Sequence, residues 1–264
     1  RDAKPGNYTA TVTVIASAPG GQGHKVDFEI EVEVLPLKLT QPADWPFHLD
    51  LWQNPFAVAR FHKAELWSKE HYAAMKPLYE MLANAGQKCI TTSIVYQPWG
   101  HQTLDGFDAM IEWTKNGDGS WTYDYSVFDT YVSFVMDCGI DEQISCYSMI
   151  PWSDRFRYFD KKTDKYVILK ASPGSTNYED HWRPFLIDFR KHLRRKGWLE
   201  KTAIAMDERP HAIMVKLLAF LEKTAPELKI ASAINYAKKE GSGDLYDISV
   251  ALGHAHSINS DYLE

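Results

Sequence analysis

The chain has 264 residues, 45% of them hydrophobic and 24% charged, with 9 Trp, 14 Tyr and 12 Phe; at about 150 residues per domain this is one large domain, or one with a fragment of another. Such a composition excludes disordered, collagen-like and low-complexity chains. The net charge of −6, with basic residues scattered except for Arg190, Lys191, Arg194, Arg195 and Lys196, argues against a nucleic-acid partner, and no uncharged apolar run reaches membrane-spanning length. The basic run reads as a solvated helix end, where cations complement the macrodipole. Cys89, Cys138 and Cys146 lack the density of a disulfide framework and the spacing of a zinc site, and read as buried thiols.

In chain order, residues 8–15 and 26–34 alternate, the second run placing Val26, Phe28, Ile30, Val32 and Val34 on one face and Asp27, Glu29, Glu31 and Glu33 on the other. Turn chemistry between them predicts a hairpin, and a hairpin needs further strands to cover its apolar side. Residues 1–35 therefore read as the last strands of a β-sandwich, and 36–46, punctuated by Pro36, Pro42 and Pro46, as a linker.

Residues 47–264 change pattern. Strands are predicted at 47–52, 89–96, 143–149, 203–208, 230–235 and 248–252. Helical spacing separates them: Tyr72 to Leu82 before Gly86, Phe128 to Val135 before Gly139, Trp182 to Leu193 before Gly197, and Met214 to Leu221 before Pro226. Pro77 predicts a kink or restart in the first of these helices. Two insertions carry predicted hairpins, 113–123 around Asn116-Gly117-Asp118-Gly119 and 156–167 around Lys161 to Lys165. Repeated βα units imply a parallel sheet. Long insertions after the strands favour a (β/α)8 TIM-type barrel, incomplete at its C-terminal end, over a doubly wound sheet.

In such a barrel the chemistry sits at the C-terminal strand ends. The strand at 203–208 ends in Met206-Asp207-Glu208-Arg209-Pro210, which puts two adjacent carboxylates at the rim. The plain structural reading is that one of them caps the following helix. Trp52, Tyr96, Trp99, Tyr147 and Trp152 follow or end predicted strands, and flat aromatic faces with a few polar groups suit a sugar. Taken singly, each also suits the core. Asn235 and Tyr236 could bind an acetamido or hydroxyl group, and His48 could face the barrel mouth or form a buried pair with Asp50. His254 and His256 have a spacing that could ligate a metal together with a carboxylate. Consecutive strand residues face opposite ways, so both acids reach one ligand only if the backbone leaves strand geometry at Asp207.

The segments HLDLWQNPFAVAR, LWSKEHYAAMKPLYEMLANAGQK, PWGHQT, WTYDYSVFDTYVSFVMDCGI, CYSMIPW and AMDERP, in this order across about 47–235, resemble glycoside hydrolase family 123, β-N-acetylgalactosaminidases with a β-sandwich ahead of a barrel. The resemblance implies a retaining, substrate-assisted hydrolase in which Asp207 holds the substrate's acetamido group and Glu208 is the general acid/base. It implies a glycan or glycolipid substrate, no cofactor and no metal, and a secreted or periplasmic location. A carbohydrate-binding barrel without turnover, or a glycosidase for another 2-acetamido sugar, are the alternatives.

Overall fold

A computed structural model of the chain describes residues 3–16, 23–100, 102–234 and 245–250. Two compact units divide at Trp45 and Pro46.

The first unit is an antiparallel pair, β1 (Gly6–Ala16) with β2 (His24–Val34), in register from Gly6↔Val34 to Ala16↔His24. The predicted face is present as read: Val26, Phe28, Ile30 and Val32 share one side and are all exposed.

The second unit is an α/β fold. Asn54 accepts from the Ala57 amide and caps α1 (Pro55–His62), and Ser68 caps α2 (Lys69–Asn84). There follow β3 (Cys89–Ser93), the hairpin β4 (Glu112–Lys115) and β5 (Trp121–Asp124), α3 (Ser126–Asp137) and β6 (Gln143–Tyr147). A second hairpin, β7 (Arg155–Asp160) and β8 (Lys165–Lys170), precedes α4 (Thr176–Lys196), which Gly197 closes at φ 72°. β9 (Thr202–Met206), α5 (His211–Thr224), β10 (Lys229–Ile234) and β11 (Asp247–Val250) complete the described elements.

The central sheet has the order β11-β10-β9-β6-β3, every pair parallel. Strands are therefore added in sequence on one side, without the reversal of a doubly wound order. No hydrogen bond among the described residues closes the sheet. It does curl: His48 Nε2 lies 3.3 Å from Asp247 Oδ2, although five inter-strand steps of a flat sheet would separate their segments by roughly 24 Å.

The segment predicted as the first strand, 47–52, is not a regular strand; it makes one parallel bridge, Leu49↔Gln87. Side chains take over the backbone groups a ladder would pair. Gln87 Oε1 accepts from the Leu51 amide at 2.9 Å, and Gln53 and Thr91 exchange bonds at 3.1 and 2.8 Å. α1 was not foreseen; its signal is the Asn54-Pro55 start, a cap followed by proline at the first helical position. Nor does Pro77 restart its helix, because α2 runs unbroken from Lys69 to Asn84. Pro77 lies on the exposed side, where water can serve the carbonyl that loses its partner.

The two insertion hairpins join into one four-stranded sheet, β5-β4-β7-β8, through parallel pairing of Thr114 with Phe159. This sheet packs on α4: Trp113 stacks on Phe185 at 4.2 Å and on His181 at 4.7 Å, beside the fully buried Trp182. The three cysteines are free and buried. The basic end of α4 is paired as well as solvated, with Arg190 and Arg194 on Glu227 and Lys196 3.1 Å from Asp129.

Candidate active site

β9 is buried along its length and ends at Met206, one residue before the acidic pair. Asp207 lies outside the ladder, half-buried, and the chain bends at the exposed Glu208. This is the departure from strand geometry that two neighbouring acids need in order to face one ligand. Pro210, and neither acid, holds the N-cap position of α5. Instead Asp207 Oδ1 accepts from the Glu208 amide at 2.9 Å and Oδ2 accepts from the Trp152 indole N–H at 2.6 Å. Each carboxylate oxygen has a second lone pair, so Asp207 can still accept from a ligand.

Trp152 is held in turn. The guanidinium of Arg209 lies 4.8 Å from the centre of its ring. Arg209 is only 7% exposed and pairs with Asp154 Oδ1 at 3.3 Å. Asp154 also accepts from Ser172 Oγ at 3.1 Å. Asp154, Arg209, Trp152 and Asp207 thus form a chain of contacts ending on the acid. Sequence reading missed Arg209 and Asp154. Arg209 gave a faint signal, a cation directly after two acids, whereas Asp154 lies in a loop with no pattern.

Three of the rim aromatics meet. Trp52 lies 5.0 Å from Tyr147 and 5.6 Å from Trp99, and Trp99 lies 4.9 Å from Tyr147. Trp52 is the exposed member; Trp99 and Tyr147 are buried behind it. Burial, then the charges of Asp50, Asp207 and Asp247, raise the Tyr147 phenol well above its usual range, keeping it a neutral donor. Asp50 is pushed up to about 6, chiefly by burial and then by Asp247, against the opposing effects of His48, Trp52 and Gln87.

The structure places the other candidates apart. Tyr96 carries the Arg157 guanidinium 4.0 Å above its ring and bonds Gln97 at 3.0 Å. His48 turns to Asp247 and to Cys89 Sγ, at 3.3 and 3.2 Å, with its side chain 43% exposed, so it forms no buried pair with Asp50. Asn235, Tyr236, His254 and His256 lie outside the described residues. Cavities of about 510, 770 and 680 Å³ lie elsewhere, and none is lined by Asp207 or Glu208.

The glycoside hydrolase 123 catalytic domain profile matches residues 52–264. The chain belongs to glycoside hydrolase family 123. Among solved structures it resembles a family 123 glycoside hydrolase from Clostridium perfringens, a structure described for its details of glycolipid glycan hydrolysis, with a TM-score of 0.82 and 32% sequence identity over 96% of this chain and 46% of that one. The chain thus spans about half the length of that relative. No curated protein matches it. Among the described residues no helix is long and apolar enough to cross a membrane.

Proposed function

We propose that this family 123 chain carries the catalytic region of a retaining glycoside hydrolase that releases terminal β-linked N-acetylgalactosamine from glycans or glycolipids. The proposed scaffold is a (β/α)8 barrel preceded by the last hairpin of a β-sandwich, and the expected location is secreted or periplasmic. The observation that carries the reading is the anchoring of Asp207 by Trp152 next to an exposed Glu208. That arrangement gives two adjacent carboxyls unequal surroundings and so unequal tasks. The glycolipid glycan named for the Clostridium relative supports the substrate class.

Ordinary retaining glycosidases use one carboxylate as nucleophile, whereas substrate-assisted enzymes use the sugar's own 2-acetamido group. In the proposed reaction its carbonyl oxygen attacks the anomeric carbon as the bond to the leaving oxygen breaks. Glu208 passes its proton to that oxygen. Asp207, ionised, accepts from the acetamido N–H and stabilises the positive charge that develops on the oxazoline-like intermediate. Water then adds to the anomeric carbon as its bond to the acetamido oxygen breaks, gives a proton to Glu208, and leaves the acetamido group restored and the sugar with retained configuration. Trp52 and Trp152 offer exposed aromatic faces to the sugar, with Trp99 and Tyr147 supporting Trp52 from behind.

The test uses the full chain with aryl β-glycosides of N-acetylgalactosamine, N-acetylglucosamine and galactose. Cleavage of N-acetylgalactosamine with retention, and no turnover of galactose, is expected. Galactose released as fast as the acetamido sugars would rule out substrate assistance. In Glu208→Gln the loss should be largest for poor leaving groups, and an equal loss across leaving groups would remove Glu208 from the acid role.

A further inference from the structure

At the inner side of the curled sheet His48, Cys89 and Asp247 bring one ligand atom each to within 4.8 Å of one another. They come from the segment before α1, from its neighbour β3 and from β11, which lies at the far end of the sheet from both. His48 Nε2 is the hub, 3.2 Å from Cys89 Sγ and 3.3 Å from Asp247 Oδ2. A ring nitrogen carries at most one proton, so it cannot serve both neighbours with a good hydrogen bond. Asp247 Oδ2 is already served by Gln143 Nε2 at 2.8 Å.

Two buried polar atoms beside this hub, Asp50 Oδ1 and Gln143 Oε1, have no hydrogen-bond partner among the described residues, and Gln143 is 3% exposed. A buried acceptor left without a donor is costly, and a cation carrying a bound water would supply donors to both.

We propose that His48 Nε2, Cys89 Sγ and Asp247 Oδ2 bind a zinc ion that ties the first strand segment to β3 and β11. In a tetrahedral zinc site nitrogen and sulfur ligands lie about 3.6 Å apart and nitrogen and oxygen about 3.3 Å, close to the two separations from His48 Nε2, while the sulfur-to-oxygen edge, within 4.8 Å, closes as the ion binds. A thiolate, an imidazole and a carboxylate together suit zinc over magnesium or calcium. Binding converts the Cys89 thiol to thiolate and releases its proton to solvent. Water takes the fourth position, with Asp50 and Gln143 as acceptors for its hydrogens. The site is structural, because the proposed hydrolysis runs on Asp207 and Glu208.

The test is metal analysis of the untagged full chain after gel filtration, followed by chelation and titration with cobalt(II). One retained equivalent of zinc is expected, and cobalt should give a thiolate-to-metal charge-transfer band that saturates at one equivalent. Cys89→Ser should abolish the band and Asp247→Asn should weaken cobalt binding at least tenfold, while Cys146→Ser, which alters another buried thiol, should leave both unchanged. Circular dichroism separates loss of metal from loss of fold. A folded wild-type chain with neither zinc nor the cobalt band, or a band that survives in Cys89→Ser, would overturn the site.

Discussion

The indole N–H of Trp152 donates to Asp207 Oδ2 at 2.6 Å, joining the loop after β6 to the end of β9 across 55 residues of sequence. A bond to an ionised acceptor contributes about 1.5–3 kcal/mol. Trp152→Phe keeps an aromatic face for the sugar but removes the donor. It should therefore lower kcat on an aryl N-acetylgalactosaminide by roughly 10- to 100-fold with KM little changed. A raised KM at unchanged kcat would mean that Trp152 serves only as a stacking surface.

Arg209 acts on the same acid from a distance. Its side chain is buried and faces Asp154 and the Trp152 ring. Asp154→Ala should destabilise the fold by about 1–3 kcal/mol, since a buried guanidinium loses its carboxylate, read from urea unfolding. It should also lower kcat through Trp152. Combined with Trp152→Phe the losses should fall short of additive, and strictly additive losses would break the proposed chain of contacts.

His181, packed between Trp113 and Phe156, is held down to about 3, first by burial and then by the charge of Lys115. The unfolded chain takes up a proton near pH 6.5, the folded one only near 3. Stability from the neutral imidazole is therefore complete above about pH 6.5 and is lost as the pH falls toward 3. Urea midpoints should decline over this window, and His181→Phe should flatten the decline. An unchanged slope in the variant would assign the acid sensitivity to other groups; Asp50 is not among them, because its raised value adds stability as the pH falls.

Phe185 is fully buried between Trp113 and Phe189. Phe185→Ala should cost about 3–5 kcal/mol and loosen the insertion sheet from α4. Equilibrium unfolding checks the cost, and hydrogen exchange in β4 checks the loosening. An exposed change in the same helix, Ile187→Ala, should stay within about 0.5 kcal/mol.

Much of the scaffold was legible because burial leaves a periodic trace in the residues themselves. The spacing from Trp182 to Leu193 and the apolar run of β9 each reported residues that the core buries, and the alternation of Val26 to Val34 reported which side chains share a face. Of the kink or restart expected at Pro77 the restart did not occur, because the proline sits on the exposed side, where water can serve the carbonyl that loses its partner. The segment 47–52 was misread because Gln87, Gln53 and Thr91 replaced its ladder with side-chain bonds that no strand pattern encodes.

At the site the adjacent acids could be found in the sequence, since a carboxylate pair following a buried strand lands at the rim whatever its neighbours are. Their partners could not. That Asp207 meets Trp152, that Arg209 meets Asp154, and that His48 leaves the mouth for Cys89 and Asp247 depend on the curl and register of the sheet. Periodicity tells a residue which side to face, because burying apolar surface is non-directional and local. Which polar atom it finds there is decided only when distant strands are brought to hydrogen-bonding distance, and only the tertiary structure does that.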